Sequence, residues 1–159
     1  MGKYEDLLIK FDYISIEESK NMPDFLSGMC VDGNIFINSN RTISQQLEIL
    51  SEELAHYKLT HGNIIDASDF NNRKFENYAR RYAKERLLSL DGIIKAFKSN
   101  VHNLYELANF FEVTESYVIE CIEHYKQKYG LTTRHGNYVI QFEPLRVFED
   151  KEIKKRGNL

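Results

Sequence analysis

Hydrophobic positions recur at helical spacing from the start of the chain. Tyr4, Leu7, Leu8, Phe11 and Ile14 predict a short helix within residues 4–20, stopped by Asn21-Met22-Pro23. The period then changes. Leu26–Cys30 and Asn34–Asn38 read as two strands, and Asp32-Gly33 in the connection Val31-Asp32-Gly33-Asn34 supplies the positive φ angles of a tight hairpin turn. Thr42, with Gln45 three residues later, forms a capping box that opens a central helix with the apolar stripe Ile43, Leu47, Leu50 and Leu54. The central helix is expected to end near His61-Gly62, and the chain to turn back through Asp66-Ala67-Ser68. A second long helix is predicted from about Asn71 to Leu90, carrying Phe75, Tyr78, Ala79, Tyr82, Ala83, Leu87 and Leu90.

A third helical block runs from Asn103 through Thr114 to Tyr129, with a turn near Val113-Thr114. Ala108 and Val118 have the ten-residue separation of the packed pair in a helix-turn-helix, although Glu112 stands at the turn position where glycine is common. Glu115, Glu120 and Glu123 put acids where DNA phosphates would approach. The block therefore reads as a packing or protein-recognition module, with a plain helical hairpin over the core as its alternative. Beyond Tyr129-Gly130 the pattern is strand-like: Leu131–Thr133 and Tyr138–Phe142 flank the loop Arg134-His135-Gly136-Asn137, with His135 as an exposed turn residue. Four stretches result: a core at residues 1–95, a helical module at 96–130, a C-terminal hairpin at 131–150 and a charged, flexible tail at 151–159.

Composition narrows the function classes. A chain of 159 residues with 42% hydrophobic content can bury its own core. The 24 acids outnumber the 21 bases, giving a net charge of -3 and no broad cationic surface for nucleic acid. No apolar run approaches the roughly 20 residues that span a bilayer, and the acidic start Glu5-Asp6 does not fit a secretory signal, so a cytoplasmic protein is expected. Cys30 and Cys121 lie far apart without metal-binding spacing and are expected to be ordinary buried thiols.

The chemistry lies on the central helix. Glu52-Glu53-Leu54-Ala55-His56 has the form of the H-E-x-x-H metal helix with Glu52 in place of the first histidine. Glu52 and His56 are one turn apart and point away from the apolar stripe; Glu53 lies between the two directions. On the second helix Glu76 shares a face with Ala79, Ala83, Leu87 and Leu90, where a buried carboxylate without a partner would cost several kcal/mol. That placement calls for a wet gap or a positive group opposite it. Folding the two helices together brings Glu76 alongside His56 as a possible third metal ligand. His61, five residues past His56, is a helix-end residue poorly phased for the same role.

Three motifs in order, Ile35-Phe36-Ile37-Asn38, then Leu50–His56, then Glu76–Leu88, resemble the ImmA/IrrE metallopeptidases, most strongly over residues 20–90. The resemblance implies an α+β fold: a small antiparallel sheet packed on a zincin-like metal-binding helix pair, followed by a C-terminal helix-turn-helix-like module. It implies that His56 and Glu76 hold Zn2+ and that Glu53 is the general base; Glu52 stands where the family's first histidine would be, and its carboxylate oxygen can bind Zn2+ at much the same distance, which keeps it as the third ligand. Two carboxylates and one imidazole shift preference toward harder ions, so Mn2+, or no metal at all, stays open beside zinc. It further implies a metallo-endopeptidase of a prophage or mobile element whose partner is a protein substrate, a repressor encoded nearby. Two other classes remain: a non-catalytic relative that binds a repressor or host protein through the same cleft, and a DNA-binding regulator using residues 103–129.

Overall fold

A computed structural model describes residues 2–61 and 72–151, without the side chains of His61 and Asn72. The loop through Asp66-Ala67-Ser68, the side chain of His61 and residues 152–159 of the tail lie outside the described residues. The chain divides into two compact units, Met1–Leu87 and Leu88–Leu159. The boundary expected at residue 95 falls inside a helix of the second.

In the first unit the opening helix α1 spans Lys3–Lys10 and ends at Phe11, well short of residue 20. Asp12, Tyr13, Ile14 and Ser15 are all weak helix formers, and the chain turns there into strand β1, Ser15–Ser19. Phe11 and Ile14 are nevertheless buried, so the apolar positions were legible and their backbone was not. Tyr4 fixes α1 to β1 by donating its hydroxyl to Glu18 Oε1 at 2.7 Å. Burial and that carboxylate push the Tyr4 phenol well above its ordinary range.

Strand β1 also corrects the sheet. β2 (Gly28–Val31) and β3 (Asn34–Asn38) form the expected antiparallel hairpin, with Asp32 at φ 50° and Gly33 at φ 79°. β1, however, pairs parallel to β3 on its other edge, giving the order β1-β3-β2 in a mixed rather than antiparallel sheet. Ile35 and Ile37 of the central strand are fully buried. Asn38, equally buried, closes that strand: its Nδ2 donates to Leu26 O at 2.9 Å and its Oδ1 accepts from Asn40 N at 3.0 Å.

Helix α2 spans Ile43–His61, and its capping box is complete: Gln45 N donates to Thr42 Oγ1 and Thr42 N to Gln45 Oε1. Leu47, Leu50 and Leu54 are buried as the stripe requires. Ile43 is not; as the first helical residue it lies at the uncovered end of the stripe, 57% exposed. Helix α3, Asn72–Leu87, packs on α2 through a cluster of Ala55, Leu59, Ala79 and Ala83, with Phe75 and Tyr82 at its margin. Ala79 has no exposed surface. Ala79→Leu is therefore expected to cost about 1–3 kcal/mol by overpacking. Urea denaturation would measure it, and an unchanged midpoint would contradict so close an approach of the helices.

The second unit begins where the long helix was expected to continue. Ser89 instead starts a new helix, α4 (Leu90–Lys98), its hydroxyl accepting from Gly92 N at 3.0 Å. α5 (Leu104–Phe111) and α6 (Glu115–Tyr129) follow, capped by Asn103 and Thr114, with Glu112 in the left-handed region at φ 59° between them. Ala108 and Val118 are both buried. The C-terminal sheet has three strands rather than two. β4 (Thr132–His135), β5 (Tyr138–Phe142) and β6 (Leu145–Glu149) form an antiparallel meander. His135 belongs to β4, not to the turn, and its Nε2 lies 2.8 Å from Asp91 Oδ1. Tyr125, buried against Phe142 with the rings stacked, donates its hydroxyl to Leu88 O at 2.7 Å. Among the described residues no helix is long and apolar enough to cross a membrane.

Candidate metal centre

Glu52, His56 and Glu76 each place one ligand atom so that all three atoms lie within 4.8 Å of one another. α2 supplies two of them from successive turns of one face, and α3, held against α2 by its alanines, supplies the third. His56 is the hub. Its Nε2 lies 3.3 Å from Glu76 Oε2 and its Nδ1 lies 3.4 Å from Glu53 Oε2. Phe75 packs against the imidazole, with ring centroids 5.5 Å apart.

These contacts leave the buried polar atoms unsatisfied. Neither His56 Nε2 nor Glu53 Oε2 has a hydrogen-bond partner among the described residues, although both atoms are shut off from solvent. Such atoms are costly unless something else completes them. A divalent cation beside His56 Nε2 does so for the imidazole, and the donor set of two carboxylate oxygens and one imidazole nitrogen suits one. The residues present therefore fit a metal ion.

Glu53 stands apart from the three donors. It is buried, turned toward β2 and His56 Nδ1. A Cβ on Gly28 would come within 3.4 Å of Glu53 Cγ and 2.5 Å of Ile49 Cγ2, so β2 lies directly against this part of α2. Cys30, half-buried on β2, has its thiol pushed up by burial and then by the Glu53 charge. Cys30 is not one of the three clustered donor residues.

Burial by itself would lower the His56 pKa, but contact with Glu53 and the charges of Glu53, Glu76 and Glu52 together raise it above its ordinary value. In the metal-free protein this contribution to stability is fully present below the unfolded value, about pH 6.5, and is lost as pH rises through the higher folded value. The melting temperature in chelator is expected to fall across that window, and added metal, which needs a neutral imidazole, to reverse the fall. A melting profile flat from about pH 6 to 8 in chelator would contradict the coupling.

Two participants were not read from the sequence. Arg80 Nε donates to Glu52 Oε1 at 3.2 Å, and Phe75 packs on His56. Arg80 had a signal: it follows Glu76 by four residues and so shares its face of α3.

An α+β unit in which a Glu-Glu-x-x-His helix and the helix after it converge two carboxylates and an imidazole is metallopeptidase-like in class. The chain belongs to the peptidase M78 family, the IrrE N-terminal-like domain, whose family model matches residues 13–122. The match extends the resemblance seen at residues 20–90 through α5 and into α6. Neither the curated proteins nor the solved structures give a match.

Proposed function

We propose that the protein is a metal-dependent endopeptidase, cytoplasmic and encoded on a prophage or mobile element, that cleaves a companion transcriptional repressor. The observation that carries this reading is the convergence of Glu52, His56 and Glu76 beside a buried carboxylate in a peptidase-family chain. Glu52, His56 and Glu76 would hold the ion, with Zn2+ the first candidate and Mn2+ favoured by the carboxylate-rich set. A divalent cation bound there supplies the Lewis acidity that acidifies water and polarises a carbonyl. Glu53 accepts the proton of the water attacking the scissile peptide and delivers it to the leaving amine.

The test is co-incubation of the purified protein with the product of the neighbouring repressor gene, with and without chelator. Chelator-sensitive cleavage is the expected result. Stable binding without cleavage in saturating Zn2+ or Mn2+ would replace the enzyme by a non-catalytic binder. Binding to DNA that weakens steeply with added salt would point instead to a regulator acting through residues 103–129.

A further inference from the structure

Position 52 differs from the H-E-x-x-H pattern in charge as well as shape. A histidine ligand is neutral, whereas Glu52 brings a negative charge to a site that already contains Glu53 and Glu76. Arg80, four residues after Glu76 on the same face of α3, sets its guanidinium against that added charge, Nε to Glu52 Oε1 at 3.2 Å. The planar guanidinium suits a carboxylate partner. The net charge of the Glu52–Arg80 pair equals that of the histidine it stands for.

We propose that Arg80 is the counter-ion of Glu52, a positioning residue that competes with the metal for this carboxylate and thereby sets the affinity of the site. The inference rests on the metal-site reading above. Two effects act in the same direction. The carboxylate oxygen already accepting from Arg80 is a poorer donor to a cation, and a fixed positive charge beside the site repels a divalent ion. Solvent moderates both, since the Arg80 and Glu52 side chains are 57% and 32% exposed. An exposed pair of this kind is worth up to about fivefold in an equilibrium constant. The design therefore attenuates metal binding without abolishing it, and couples metal loading to the release of one ion pair.

Titration calorimetry with Zn2+ and with Mn2+ on the full-length chain tests this, with circular dichroism to confirm folding. R80Q is expected to bind both ions about fivefold more tightly than the wild type. R80K, which keeps the charge, is expected to stay nearer the wild type than R80Q. E52H/R80Q, which restores two neutral histidines and removes the counter-ion, is expected to bind Zn2+ most tightly of all. If E52H/R80Q folds but binds no metal, the metal-site reading fails and the role of Arg80 with it. If E52H/R80Q binds while R80Q binds no more tightly than the wild type, only the counter-ion role is overturned. Weaker binding by R80Q would likewise overturn it, because Arg80 would then be orienting Glu52 for the metal rather than competing with it.

Discussion

Glu53→Gln is expected to cut peptide cleavage by about 10²–10⁴-fold while the protein folds and still binds its metal. The substitution keeps the shape of the side chain and removes its ability to carry a proton. Glu53 is a sharp test because it is buried, lies outside the cluster of three donor atoms, and leaves Oε2 without a hydrogen bond among the described residues. Its closest polar contact, 3.4 Å to His56 Nδ1, also suits a carboxylate that fixes the orientation of a metal-binding imidazole. The two roles differ in what they predict. A general base affects turnover and leaves metal affinity alone, whereas an orienting carboxylate costs about 10–100-fold in metal affinity when lost. Measuring cleavage of the repressor and metal binding on the same Glu53→Gln preparation separates them. Unchanged cleavage would remove Glu53 from the mechanism.

The helices that build the site could be read from the sequence because their signals are local. Thr42 and Gln45 announce the start of α2, the Leu47-Leu50-Leu54 stripe fixes its buried face, and Ala79 and Ala83 mark where α3 comes close. Phase then puts Glu52 and His56 on one face, the H-E-x-x-H pattern marks them as candidate ligands, and Glu76 stands out as a carboxylate on an apolar face. What escaped depends on partners distant in sequence. Ser15–Ser19 is strand because β3 offers it a ladder, and a five-residue segment with no clean alternation gives no warning of that. Leu145–Glu149 was hidden in the same way, since only pairing with β5 makes it a third strand. The break before α4 was different. Its capping serine was present in the sequence, but the apolar period ran on through Leu87, Leu88 and Leu90 and masked it.

His56→Ala has the other large expected effect, because one imidazole serves every part of the site. It is the only nitrogen ligand of the three, and it faces Glu76 with one ring atom and Glu53 with the other. Structural zinc sites of four ligands are worth about 10–16 kcal/mol, so losing one good ligand should cost roughly 3 kcal/mol, or on the order of 10²-fold in affinity. Cleavage should fall with the metal and return only at proportionately higher metal concentration, if at all. A second consequence appears without any metal. Removing the group that titrates between three carboxylates should abolish the fall in melting temperature expected above about pH 6.5 in chelator, leaving Glu52, Glu53 and Glu76 to repel one another at every pH where they are ionised. The pair of measurements is stricter than either alone. Lost affinity with an unchanged pH profile would mean that His56 binds metal but is not the titrating hub, and a flattened profile with intact affinity would remove His56 from the metal.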